Sequence, residues 1–388
     1  MNAKADAKTV VILGTGATIG SGYTKAGRRL PGDRGFFGHT GVQELLRSRT
    51  FPALQSVLDS FRLAYRLLRP PPLGLEEVWT FIEFANMGIF RDIFRNTIDL
   101  LKKEEEVVRQ HIRAPESRSD DEHCQISQAR LDQTLPNGPP LDMLLLAGCD
   151  IRRILTRIYG ELKPPEDGGP YAILIDKLRL TEGSATTFIS LNYDTVLEHG
   201  LTRAHTPWYY PHVYTNVTRS PEGVCILKPH GSLNWRFRGN IPPREISTDY
   251  SLEPVRCRYD FDNKFVEAMI VAPTQVKGVI TSPETQADVT NRLFPAIWAD
   301  SVQALVEASK VIVIGYSFPS TDHHLQTLCH LALRLREFRQ YSDVYGCTLA
   351  DGQGGEGTVF SGLQRQFPAI NSHLSANGFD GFVSAVCL

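Results

Sequence analysis

Three short runs constrain this chain more than anything else in it: Thr9-Val-Val-Ile-Leu13, Thr187-Phe-Ile-Ser-Leu191 and Lys310-Val-Ile-Val-Ile314. Each is apolar and rich in β-branched residues, with no alternation of polar and apolar positions. That is the pattern of a strand covered on both faces, as in a parallel sheet. Parallel strands need crossover connections, usually helical. Each run also ends in residues that burial alone does not call for. Gly14-Thr-Gly follows the first, Asn192-Tyr-Asp the second and Gly315-Tyr-Ser the third. Open α/β sheets bind ligands at the carboxyl ends of their strands. The predicted fold is therefore α/β, a Rossmann-like parallel sheet with helices on both faces. Weaker strands are predicted at Val224–Lys228, Ala268–Ala272 and Val344–Leu349, and helices at Leu293–Ala308 and His323–Phe338.

A different pattern runs from about residue 42 to 162. Leu54, Val57, Leu58 and Phe61 recur at spacings of three and four. So do Val78, Phe81, Ile82, Phe84 and Ala85, and then Ile93, Phe94, Ile98 and Leu101. Such spacing predicts amphipathic helices. Pro70-Pro71-Pro72 separates the first group from the second, and residues 104–133 are polar and charged. Lys163-Pro-Pro-Glu-Asp-Gly-Gly-Pro170 has the composition of a linker. The expected organisation is one Rossmann-like domain from 1–40 and 166–388, with a large helical insertion at 41–165. A length of 388 residues suits that division better than a single core.

Composition excludes some classes. The formal net charge of −2 argues against a general polyanion binder, so no direct nucleic-acid binding is expected. No apolar run approaches the roughly 20 residues of a membrane helix. The first residues lack the basic start and long apolar core of a signal peptide, so the expected location is the cytoplasm. The seven cysteines include no C-x-x-C pair, which argues against both a disulfide framework and a four-cysteine zinc site. His323 and His324 are adjacent rather than four apart, so no metal is expected there.

The strand ends carry the candidate chemistry, and each has a plainer alternative. Gly14, Thr15, Gly16 and Thr18 can bring backbone N–H groups against a pyrophosphate, or form a tight turn. The third glycine of a dehydrogenase fingerprint would fall at Ile19; Gly20 is one residue late. The loop Pro31–Gly38, with Asp33 and Phe36, can close over a ligand or simply connect. Asn192 offers a donor and an acceptor, and Asp194 can accept from hydroxyls; both residues can instead cap a helix at Thr195–Leu201. His230 sits before Gly231 on a loop after an apolar strand, where an imidazole can serve as base or as a structural residue. Gly315, Tyr316 and Ser317 can approach a phosphate or adenosine, while Asp322 can cap the following helix.

In this order the motifs resemble those of the sirtuin superfamily. Ser190-Leu-Asn-Tyr-Asp-Thr-Val-Leu-Glu198, Lys228-Pro-His-Gly-Ser-Leu-Asn-Trp235 and Val313-Ile-Gly-Tyr-Ser-Phe-Pro-Ser-Thr-Asp322 are similar to prokaryotic sirtuin-like proteins of antiphage defence. The resemblance covers residues 9–40 and about 170–350. It implies that Gly14, Thr15, Gly16 and Thr18 hold the pyrophosphate of NAD. It implies Asn192 and Asp194 around the nicotinamide ribose, and His230 as general base. Asp33 and Phe36 would lie in the loop over the ligand, and Gly315, Tyr316, Ser317 and Asp322 on the adenosine side. One departure matters. Deacetylases of the superfamily carry four zinc cysteines between the His-Gly and the last nucleotide-binding strand, and this interval holds only Cys257. No zinc ribbon is expected. The implied activity is NAD hydrolysis to nicotinamide and ADP-ribose, with NAD as substrate and no metal. The alternatives are a non-catalytic NAD or ADP-ribose sensor, an ADP-ribosyltransferase and a residual deacylase. The implied partners are a second copy of the chain, a HerA-type ATPase or an Argonaute.

Overall fold

The computed structural model describes residues 8–32, 35–48, 51–65, 74–86, 140–160, 162–182, 184–215, 223–238, 245–248, 258–259, 265–266, 268–271, 284–318, 322–348 and 356–386. Asp33, the apolar positions Ile93 to Leu101 and all of the polar stretch 104–133 lie outside these residues.

The three apolar runs are the centre of the sheet. β1 (Thr9–Leu13) leads into the short helix α1 (Thr15–Ile19). Two short strands, β2 (Thr24–Lys25) and β3 (Arg28–Arg29), pair in a hairpin. Helices α2 (Thr40–Arg47), α3 (Pro52–Tyr65), α4 (Leu75–Asn86) and α5 (Pro140–Tyr159) fall in the stretch of three-and-four spacing. α5 packs against α2, α3 and α4. Then come α6 (Gly169–Lys177), β4 (Thr186–Ser190), α7 (Val196–Arg203), β5 (Trp208–Tyr209), β6 (Tyr214–Thr215) and β7 (Val224–Leu227). β8 (Gly231–Arg238) and β9 (Glu245–Thr248) follow, then the pair β10 (Arg258–Tyr259) and β11 (Phe265–Val266), and β12 (Ala268–Ile270). The last elements are α8 (Glu284–Glu307), β13 (Lys310–Ile314), α9 (His323–Leu335), β14 (Tyr341–Cys347), α10 (Glu356–Gln366), β15 (Ala369–Ser375) and α11 (Gly378–Ala385).

Seven strands form one sheet in the order β15-β14-β13-β1-β4-β7-β5, and every neighbouring pair is parallel. Helices flank it on both faces: α6 packs on α7 and α11, and α9 packs on α8 and α10. Burial follows the pattern of the sequence. β1 and β13 are buried from their second residue on, and edge strand β15 is largely exposed. A second sheet of four strands, β12-β8-β9-β6, takes β6 from before β7 and the other three strands from the segment after it. Among the described residues, no helix is long and apolar enough to cross a membrane.

The strand order reverses at β1. The chain builds outward on one side through β4, β7 and β5, then returns to the other side through β13, β14 and β15. The crevice of such a switch lies beyond the carboxyl ends of the strands around it. Here the two turns facing each other are those after β1 and β13. They touch so closely that only glycine fits. A Cβ on Gly315 would lie 2.1 Å from the Ala17 nitrogen, and its φ is +65°. A Cβ on Gly14 would lie 2.6 Å from the Gly315 carbonyl oxygen, and one on Gly16 would lie 2.7 Å from the Gly315 Cα. Gly315→Ala combines a left-handed backbone with overlap against main chain that cannot rotate away. It is expected to destabilise the fold by about 3–5 kcal/mol, visible as a lowered denaturant midpoint.

Candidate active site

The glycine turns are also joined by hydrogen bonds. The Gly14 N–H donates to Ile314 O (3.0 Å), the Gly16 N–H to Gly315 O (2.9 Å) and the Ala17 N–H to Gly14 O (2.9 Å). The amides of Gly16 and Ala17 are thus committed within the protein. Thr15, at the start of α1, is partly exposed. Close packing of the two turns is therefore a sufficient reason for glycine at 14 and 16. The chain at Gly32 passes over α1, since a Cβ on Gly32 would lie 2.8 Å from Ile19 Cδ1 and 3.8 Å from Thr15 Cγ2.

Asn192 follows β4 and reaches back to this turn. Its Nδ2 donates to Gly14 O and to Thr18 Oγ1, both at 2.9 Å. Gly14 O can only accept, so the amide has one permissible orientation. Both amide hydrogens are taken up, and the group Asn192 has to offer a ligand is the acceptor Oδ1. The Thr18 hydroxyl passes its own hydrogen to Asp194 Oδ2 (2.7 Å), and Asp194 Oδ1 accepts from the Val196 N–H (3.0 Å). Asp194 thus holds the start of α7 from one oxygen and Thr18 from the other. Burial raises the Asp194 carboxyl above its ordinary value. The Lys228 ammonium, the Thr18 hydroxyl and the Val196 N–H oppose that rise, and the Glu198 anion adds to it.

His230 ends the turn after β7 and is buried. Its Nδ1 lies 3.2 Å from the Leu191 carbonyl, which can only accept. The hydrogen therefore sits on Nδ1, and the neutral ring carries its basic lone pair on Nε2. The next residue turns sharply: Gly231 has φ +78°, and a Cβ there would lie 2.2 Å from Met269 O. The His230 carbonyl then accepts from the Val271 N–H (2.8 Å), tying the turn to the end of β12. The imidazole lies between two half-buried aromatic rings, Tyr193 at 6.3 Å and Trp298 of α8 at 6.1 Å between centroids. Trp298 in turn faces His324 of α9 at 6.2 Å. Sequence reasoning passed over Trp298, because a Trp at helical spacing in an apolar stretch reads as core.

The structure thus brings Gly14, Gly16, Thr18, Asn192 and Asp194 into one hydrogen-bonded cluster, with His230 bonded to the residue before Asn192. Gly315 touches it through Gly16. Tyr316 and Asp322 form a separate pair, with the Tyr316 hydroxyl donating to Asp322 Oδ2 at 2.7 Å. Asp322 Oδ1 accepts from the Leu325 N–H at 3.2 Å and so caps α9. Burial raises the Tyr316 phenol, and the Asp322 anion adds to the effect. Ser317 is exposed beside them. Phe36 is buried edge-on against Phe37, their centroids 5.2 Å apart. Among the described residues, no group of three or more His, Cys, Asp or Glu side chains is placed to hold a metal ion.

Residues 186–346 match the family model of the SIR2-like domain, a span that runs from β4 to β14 and includes Asn192, Asp194, His230 and the Gly315 turn. Among solved structures, the chain is similar to a Sir2 bound to an acetylated peptide. The identity is 13%, over 98% of this chain and 92% of the other, with a TM-score of 0.37. It is also similar to a Sir2 homologue in complex with NAD, at 12% identity over 62% of this chain and 73% of the other, with a TM-score of 0.34. No curated protein matches the chain.

Proposed function

We propose that this chain is an NAD glycohydrolase that cleaves the bond between nicotinamide and the ribose C1′. The observation that carries the reading is that Asn192 is bonded to the turn after β1 while His230 is bonded to the residue just before it. One presents an amide oxygen, its hydrogens already engaged, and the other a ring whose Nδ1–H is held by Leu191 O. Both lie within the span that matches a SIR2-like domain.

The chemistry needs little else. The C1′–N bond breaks with its electron pair going to the pyridinium nitrogen, so nicotinamide leaves neutral and needs no acid. Positive charge builds on the ribose as it leaves. A water oxygen then bonds to C1′. Asn192 Oδ1 accepts from that water or from a ribose hydroxyl, and His230 Nε2 takes the proton released. The pyrophosphate is assigned to the partly exposed Thr15 at the start of α1, beside Gly14, Gly16 and Thr18, and Gly315, Tyr316 and Ser317 bound the adenosine side. Between His230 and β13 the chain has a single cysteine, Cys257, so the four-cysteine ribbon of deacetylases has no counterpart there. That supports water, rather than an acyl-lysine, as the acceptor.

Unrestrained hydrolysis would empty a cell of NAD, so the reading carries a regulator with it. We assign that role to self-association or to a HerA-type ATPase or Argonaute partner, in a cytoplasmic antiphage response. The helices between residues 41 and 165 are the proposed contact.

Purified protein over a range of concentrations, incubated with NAD, tests the activity. Nicotinamide and ADP-ribose are expected in equal amounts, with no dependence on added acylated peptide. Release only with such a peptide would replace the reading with a deacylase. Saturable NAD binding without any nicotinamide would replace it with a sensor.

A further inference from the structure

The loop carrying Asn192 is held from behind by one segment of the chain. The Leu191 carbonyl faces His230 Nδ1 at 3.2 Å. The Tyr193 carbonyl accepts from the Leu233 N–H at 2.9 Å, with the Ser232 hydroxyl at 3.4 Å. The Asp194 carbonyl accepts from Lys228 Nζ at 2.5 Å. Three carbonyls of the loop after β4 are thus gripped by residues 228–233. Two of the grips come from main chain or from a residue already given a role. The third is the ammonium of Lys228, a side chain with no exposed surface at all.

A buried lysine is an expensive way to hold a carbonyl unless its charge is matched. Here Glu198 matches it, with Oε1 at 3.1 Å from Nζ, and Glu198 is itself buried. The same oxygen accepts from the Tyr210 hydroxyl at 2.7 Å, while Oε2 has no hydrogen-bond partner. The Tyr210 phenol is raised well above its ordinary value by burial and by this anion, so it stays a donor. Tyr210 also lies 3.5 Å from Asn234 Oδ1, which accepts from Ser232 Oγ at 2.7 Å. Ser232, at the end of this chain of bonds, lies in the same segment 228–233 that grips the loop.

We infer that Lys228 is a positioning residue: its ammonium fixes the Asp194 carbonyl and, through the loop, the place of the Asn192 amide. It does not touch the ligand. Glu198 holds the ammonium in place through the ion pair at 3.1 Å. The kinetic part of the test rests on the hydrolase reading, and the exchange part does not.

Lys228→Met alone would strand the Glu198 carboxylate in a dry environment and can fail to fold. The informative variant is the double substitution Lys228→Met with Glu198→Gln, which removes both charges and keeps the volumes. Glu198→Gln alone retains the Lys228 bond to Asp194. The double variant is expected to unfold cooperatively near the wild-type temperature. Its kcat should fall roughly ten- to a hundredfold, the worth of one charge-assisted hydrogen bond, with KM little changed. Glu198→Gln alone leaves the buried ammonium without its counter-charge, so it is expected to be the less stable of the two variants while keeping the bond to Asp194 O. Hydrogen–deuterium exchange gives the second readout. The Val196 and Leu233 amides, both bonded to this loop, should exchange faster in the double variant, while the β1 amides do not change. A folded double variant with wild-type kcat and wild-type exchange would overturn the inference. If the wild type turns over no NAD, the hydrolase reading fails and exchange alone decides the role of Lys228.

Discussion

Asn192→Ala is expected to lower nicotinamide release by about 10²–10³-fold in kcat, the loss seen when one preorganised polar group is removed from a site of developing charge. The substitution removes Oδ1, the one atom of Asn192 left for a ligand. It also leaves Gly14 O and Thr18 Oγ1 without their shared donor. That second effect should cost about 1–3 kcal/mol of stability, so unfolding must be measured beside turnover. Asn192→Asp separates the two effects further. A carboxylate at this position would turn an oxygen towards Gly14 O, lone pair against lone pair. It should therefore be no more active than the alanine variant, and less stable. Recovery of activity in Asn192→Asp would mean that the acceptor alone matters and that the tie to Gly14 does not. Loss confined to KM in Asn192→Ala would mean that the residue binds NAD and takes no part in cleavage.

The centre of the fold was legible because burial on both faces leaves an unmistakable trace. β1 and β13 are apolar after their first residue and β4 shows no polar-apolar alternation, and the three pair side by side as the pattern implies. β15 left no such trace. An edge strand with exposed residues, Ala-Ile-Asn-Ser-His-Leu-Ser, has the composition of a loop. In the second sheet β12 falls within the strand expected at Ala268–Ala272, whereas β6 and β9 were silent, because two- and four-residue strands carry too little periodicity to recognise. Helix α8 starts well before the expected Leu293, since Pro295 hides the first half; in the structure the helix runs through that proline, which is exposed. At the site, the order of strand ends was legible and the wiring between them was not. The glycines at 14 and 16 read as room for a phosphate, yet their nearest constraint is Gly315, some 300 residues along the chain. Lys228 stood within a quoted motif, but a side chain that serves a distant carbonyl has no signature in its own neighbourhood. Asp194 and Asp322 had both been weighed as helix caps, and both accept from the first turn of a helix.

His230 can be tested in a way that divides base from brace. The ring holds the Leu191 carbonyl through Nδ1, and the base reading assigns the proton transfer to Nε2. Alanine removes both functions and empties the space between Tyr193 and Trp298. Asparagine removes only one, because its Nδ2 can still donate to Leu191 O while no group near it can take a proton near neutral pH. If His230 is the base, both variants should lose about 10²–10⁴-fold in kcat, the range that positioned proton transfer supplies. The kcat against pH curve of either variant should also lose its acidic limb, because a general base acts only when unprotonated. Asp194 titrates above the usual carboxylate range and sits in the same cluster, so wild-type curves alone cannot assign the limb. It remains in both His230 variants, and a limb that persists in them belongs to Asp194. Free imidazole should restore part of the rate to His230→Ala, whose cavity can admit it, and none to His230→Asn. The opposite result, near-normal turnover in His230→Asn with loss only in His230→Ala, would make the histidine a brace for the Asn192 loop. The burden of catalysis would then pass to Asn192, with water losing its proton directly to solvent.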